Sequence, residues 1–283
     1  MRLVTTVFLW LVTTVLLAVA VPTMWAQRHV VSEDGYAALA ASAAGGAELQ
    51  QAMASELTTQ IVGFAADNGY QLNRDLVRGV VTAYTGNPGF PGQFAAANRI
   101  AHRWMFTDSV QQEQGSQDRW LIDIAPMLND PSLRETLGNL DLDVPQTLTV
   151  PITVPETTGL RPGKLRPLAT WGPWVSIGAT ILTGVFALLT LAAARSRGKT
   201  TAALGISALL VGAAGWAGLE VARGHVNDAL NRTTGDIRTV ADVMVNHAED
   251  SLHNWLNLTL AAGGALVVLG VIAAMLGGLR RRE

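Results

Sequence analysis

The chain contains no cysteine, which excludes disulfides, thiolate metal sites and cysteine nucleophiles. It is also poor in charge. Asp, Glu, Lys and Arg make up 15% of its 283 residues, against 49% hydrophobic, whereas soluble domains carry about 25% charged residues. A phosphate-cradling loop is missing, because "GNPGFPG" (86–92) neither follows a strand nor ends in Lys-Ser/Thr. No basic, aromatic-laced surface is evident, so nucleic acid is not an expected partner.

What the chain has instead is four runs of about twenty apolar residues, each long enough to cross a hydrocarbon core of roughly 30 Å as a helix. They are Leu3–Ala26, Val175–Ala194, Thr200–Ala222 and Leu256–Leu279. The first three carry no charge before Glu220, and the fourth carries none. The first run has features of a secretory signal, with Arg2 before it and Ala18-Val19-Ala20 as a small-x-small site. Its apolar stretch exceeds the roughly 7–15 residues of a signal, however, and Pro22 and Trp25 follow the would-be cut. A retained helix is therefore expected. None of the spans has the buried acids or broken helices of a self-sufficient pump or transporter.

Lysine and arginine set the expected orientation. Arg2 precedes the first run, Arg195, Arg197 and Lys199 fill the link between the second and third, and Arg280, Arg281 and Arg282 follow the fourth. With four spans these places share one side, expected to be the cytoplasm, and both termini are expected to lie there. The expected organisation is transmembrane helices at 1–26, 171–194, 200–222 and 256–279. An extracytoplasmic domain (27–170), a cytoplasmic link (195–199), an extracytoplasmic helical hairpin (223–255) and a cytoplasmic tail (280–283) lie between and after them. Trp171, Trp174 and Trp255 fit an outer aromatic belt.

Within 27–170 the pattern is mostly helical. Ser32 is a candidate N-cap for an alanine-rich helix ending at Gly45-Gly46. A second helix fits Glu48–Asp67, with Leu49, Met53, Leu57, Ile61 and Phe64 on one stripe. Asn73 caps a third, and "TGNPGFPG" reads as a loop. In the next helix Phe90, Phe94, Ala97, Ala101 and Trp104 form a buried stripe, flanked by Asn98 and His102, while Arg99 and Arg103 face away toward water. "RWLIDIAPML" and "QTLTVPITVP" alternate like strands of a small two-stranded ribbon, with a short helix in "NDPSLRETLGNL" between them. The expected fold class is a mainly α membrane protein: four transmembrane helices and a mostly helical extracytoplasmic domain carrying that ribbon.

The order of these features carries a resemblance. A Tyr36-containing helix is followed by Phe94, Ala97, Asn98 and His102 in "F…AANRIAH", then by "WLIDIAPML", a Pro-rich strand and a close pair of spans. This arrangement resembles a group of actinobacterial integral membrane proteins over most of residues 1–222. The resemblance implies a cell-envelope protein of a bacterial inner (plasma) membrane and no established activity, and none of its motifs is catalytic. It suggests an accessory subunit of a lipid transporter of the mycobacterial cell-entry type.

The polar clusters point to structure before chemistry. Asn98 and His102, four apart beside an apolar stripe, most often satisfy backbone groups. Asp123 and Ser109 are the residues that would complete a catalytic set, but no nucleophile-elbow pattern accompanies them. In "HAEDSLH" (247–253) the histidines are six apart rather than at the i, i+4 spacing of a shared metal. A Glu249–His253 surface pair within an acidic hairpin is expected there, with Val226, Leu230, Ile237, Val240, Met244 and Leu252 turned toward the larger domain. No catalytic residue, metal or cofactor is assigned.

Small residues recur instead: Gly205, Ala208, Gly212 and Gly215 on the third span, and Gly263, Gly270 and Gly277 on the fourth. Such seams let helices approach closely, either within one bundle or against a partner. Association is the chemistry this pattern supports. The expected partners are membrane lipids and other integral membrane or periplasmic subunits of an envelope complex. The alternative reading is a stand-alone lipid-binding protein with a groove between its outer helices.

Overall fold

A computed structural model describes residues 2–67, 69–107, 119–123, 149–153, 163–231 and 236–279. They form two compact units: residues 1–32, 169–228 and 248–283 in one, and 33–168 with 229–247 in the other.

The first unit is built from α1 (Arg2–Ala26), α6 (Arg166–Ala193), α7 (Arg197–Leu230) and most of α8 (Asp236–Leu279). Each contains a stretch long and apolar enough to cross a membrane, with mean hydropathy of 2.4, 2.1, 1.7 and 2.3 in chain order. α1 passes directly into a π-helical turn at Gln27–Val31. α7 and α8 have 34 and 44 residues, or about 51 and 66 Å at 1.5 Å per residue. Within 223–255, residues 223–230 and 236–255 thus belong to the two long helices that contain the apolar runs.

Lipid offers no hydrophobic drive for helix association, so polar contacts and close packing replace it. The Trp10 indole donates to the Ala203 carbonyl at 2.9 Å, and Thr14 shares a 2.8 Å hydrogen bond with Ser207. Thr13 and Thr190, both buried, meet at 3.5 Å. These contacts tie α1 to α6 and α7 at roughly 0.6 kcal/mol each. Val21, Val211 and Leu256 form a buried cluster against which Leu17, Leu252 and Trp255 pack. Leu252, expected to face the larger domain, belongs here.

The second unit contains α2 (Glu33–Ala44), α3 (Ala47–Asp67), α4 (Arg74–Thr85), α5 (Phe90–Phe106) and the first turns of α8. Local chemistry sets the boundaries. Glycines 45 and 46 end α2, and the Asn73 side chain caps α4 by accepting from the Asp75 and Leu76 amides at 2.9 and 3.3 Å. The break before α5 is shorter than the "TGNPGFPG" loop expected from sequence. Phe90-Pro91-Gly92 lies in the first turn of α5, where proline's missing N–H would have had no helical partner.

Alanine dominates the core, which lets α2 lie close to α5. Ala40, Ala43 and Ala44 pack with Leu49, Tyr84, Phe90 and Phe94, and Val240, Val243 and Met244 of α8 close the cluster. Val240 and Met244 therefore sit as expected, whereas Ile237 is 49% exposed. The backbones of Arg119–Asp123 (β1) and Thr149–Thr153 (β2) pair antiparallel, with Leu121 opposite Pro151. The helix expected in 129–140 and Ser109 lie outside the described residues.

Candidate interaction surfaces

α5 brings its polar pair to two different places. The Asn98 amide donates to the Phe94 carbonyl one turn back at 2.9 Å, which spends the side chain on its own helix. His102 is buried; its ring stacks on Phe106 at 4.1 Å and lies tilted to Tyr36 at 5.4 Å. Burial also pushes the Tyr36 hydroxyl above its ordinary pKa. His102→Ala is expected to empty that aromatic stack and to cost about 2–4 kcal/mol. A lower melting temperature of the purified chain would register it, and wild-type stability with a lost activity would contradict the structural role.

Arg99 and Arg103 do more than face water. Arg99 pairs with Asp34, and Arg103 donates to Glu33 at 2.7 and 2.9 Å. Both acids stand in the first turn of α2, so the two arginines link α5 to α2 while remaining partly exposed. The hydrogen bond from Arg103 holds the Glu33 carboxyl below the ordinary carboxylate range, against the opposing effect of partial burial.

The "HAEDSLH" cluster disperses. His247 meets the Ser42 hydroxyl at 2.9 Å, and His253 stacks on Trp216 with centroids 3.9 Å apart. Glu249 is 6% exposed and accepts both Nε (2.8 Å) and Nη2 (2.5 Å) of Arg223. The expected Glu249–His253 pair is thus replaced by a bond between α7 and α8. No group of three or more His, Cys, Asp or Glu placed to hold a metal occurs among the described residues.

The small-residue positions meet each other. A Cβ added to Gly205 would lie 2.6 Å from the Gly263 carbonyl oxygen, and one on Gly263 would lie 2.9 Å from the Gly205 oxygen and 3.0 Å from Ala208 Cβ. Gly270 packs on the backbone of Gly198 and Ala202, while Gly212 and Gly215 receive the side chains of Leu260 and Leu256. Gly198 belongs to this contact although the periodicity does not single it out. Gly277 has nothing within 4 Å of its Cβ position and stands outside it. The seam is α7 on α8 within one chain.

At the end of α1, Trp25 stacks on His29 at 5.5 Å and donates to Ser251 at 3.2 Å, and His29 meets Trp255 edge-on at 6.3 Å. The Arg28 guanidinium lies over the Trp255 ring, 5.9 Å from its centroid. Trp171 and Trp174 are 66% and 76% exposed.

In the helical unit, large apolar side chains crowd the α3–α4 turn. Ile61, Phe64, Tyr70, Leu72 and Leu76 are all exposed, Tyr70 by 69% and Leu76 by 71%. The α3 stripe read from sequence therefore divides: Leu49, Met53 and Leu57 enter the core, while Ile61 and Phe64 stay outside. Nearer the other end of this hairpin, a cavity of about 360 Å³ is lined by Gln50, Gln51, Ser55, Arg78, Thr82 and Thr85, among others. Polar side chains alternate there with Ala47, Ala54 and Gly86, so the lining is mixed.

The chain matches no protein-family model, no curated protein and no solved structure.

Proposed function

We propose that this membrane protein is a non-enzymatic accessory or scaffolding subunit of a cell-envelope complex, whose helical domain, ribbon included, is exported and docks onto another subunit. The observation that carries the reading is the run of five large hydrophobic side chains, from Ile61 to Leu76, exposed along the end of α3, the connection and the start of α4. Exposed apolar side chains gathered in one region mark a candidate interaction site. The occupant is the exported part of an integral or periplasmic protein subunit. Phe64 and Tyr70 provide the aromatic character of protein interfaces, and Asp67, Asp75 and Arg74 give the rim both signs of charge, which does not favour an anionic lipid surface. The envelope resemblance makes a lipid transporter of the mycobacterial cell-entry type the preferred machine.

Leu76→Asp and Tyr70→Asp replace exposed side chains and are expected to change stability by no more than about 0.5 kcal/mol. Co-purification from native membranes should lose a stoichiometric partner in both variants. An unchanged set of partners would sink the docking reading. Bound lipid without any partner would favour the stand-alone lipid-binding alternative.

The orientation follows from the arginines beside the spans. Reporter fusions at Glu283 and near Arg197 are expected to read cytoplasmic, and one near Gly115 exported. An exported Glu283 would overturn the arrangement.

A further inference from the structure

We propose that Arg28, His29 and Trp255 form a binding site for one bilayer phospholipid headgroup, a phosphate diester that also carries a hydroxyl or an ammonium group. Arg28 holds the phosphate, and His29 accepts from the headgroup donor.

Position along the helix comes first. Arg28 stands 26 residues after Arg2, about 39 Å at 1.5 Å per residue. A bilayer measures roughly 40–45 Å across its headgroup regions. A helix that places Arg2 among the headgroups of one leaflet therefore delivers Arg28 to those of the other. Trp255 reaches the same level by a different route, as the residue before the apolar run Leu256–Leu279.

The local chemistry then selects the ligand. Arg28 is exposed, and no salt bridge to it occurs among the described residues. Its guanidinium lies over the Trp255 ring, a contact that uses the face of the cation and leaves its N–H donors for a phosphate. His29 Nδ1 lies 3.1 Å from the Trp25 carbonyl. A carbonyl can only accept, so Nδ1 carries a proton, and the tautomer with Nδ1–H alone offers Nε2 as an acceptor. The π-helical turn Gln27–Val31 sets both side chains against Trp255. Such turns interrupt α-helices mostly at functional positions. A strong donor set beside an acceptor matches phosphatidylglycerol or phosphatidylethanolamine. Phosphatidylcholine supplies the phosphate but no donor.

The test uses the full chain in detergent, with retained lipid counted by native mass spectrometry during titration with each of the three lipids. Phosphatidylglycerol and phosphatidylethanolamine should bind more tightly than phosphatidylcholine. Arg28→Ala should weaken all three by about 10-fold or more, the loss of a charged hydrogen bond. His29→Phe keeps an aromatic ring in the stack and should erase the preference over phosphatidylcholine. Both variants must retain wild-type helicity, and Arg28→Gln serves if Arg28→Ala does not. Unchanged lipid retention in the Arg28 variants would overturn the site and leave an ordinary interfacial anchor. Displacement of the lipid by millimolar glycerol phosphate would also overturn it, since the anion would then be a soluble one.

Discussion

Gly270→Ile is expected to disrupt the α7–α8 pair, and Gly277→Ile, seven residues further on, to leave it intact. Both glycines fall on the same repeat, so a rule based on spacing would treat them alike. Their surroundings differ. A Cβ at Gly270 would press on the Ala202 amide nitrogen and lie 2.7 Å from the Gly198 carbonyl oxygen, whereas at Gly277 it meets nothing within 4 Å. Backbone cannot swing aside as a side chain can, so two helices must part to admit a branched residue. Overpacking typically costs about 1–3 kcal/mol, and contact with backbone on both sides puts Gly270 at the upper end. Gly277→Ile should stay within about 0.5 kcal/mol of wild type. Thermal unfolding in detergent would compare them; equal stability would mean that α7 and α8 do not meet as described. Because the seam is filled by the chain's own helix, the partner subunit proposed above would have to use another surface, such as the α3–α4 tip.

The second large effect is an asymmetry between two ends of one ion pair. Arg223→Ala leaves the Glu249 carboxylate, 6% exposed, without the guanidinium that donates to it twice. A buried charge that loses its partner is strongly destabilising. Glu249→Leu instead leaves an arginine whose side chain is 47% exposed and can be solvated by water, with Glu220 still 3.7 Å away. Arg223→Ala should therefore lower the melting temperature by several degrees and Glu249→Leu by much less. The double variant should recover most of the loss. Equal falls in the two single variants would refute the argument, since they would show that Glu249 is already solvated.

Features that depend on neighbouring residues are legible in the sequence. Apolar runs of about twenty residues announce spanning helices because the hydrocarbon core imposes that length on any chain that crosses it. Asn73 and the Gly45-Gly46 pair mark helix ends because capping and glycine's backbone freedom act within one turn. Buried histidine at position 102 follows from the stripe around it, since helical periodicity alone says which residues share a face.

Pairings across the chain are not legible there. Thr14 and Ser207 are 193 residues apart, and Arg223 and Glu249 are 26 apart on different helices. Nothing local distinguishes Thr14 from a lipid-facing threonine, or Glu249 from the exposed Asp250 beside it. The α3 stripe fails for the same reason. Its period places Leu49 and Phe64 on one face, but only the bodies packed against that face decide where burial stops. Sequence by itself determined most of the helices and those ends that a cap or a glycine pair marks, because hydrogen-bonding geometry and the span of a bilayer act on contiguous residues. Tertiary structure alone decided which faces are covered, which charge is buried and which glycine touches backbone, because those depend on what a distant segment brings into contact.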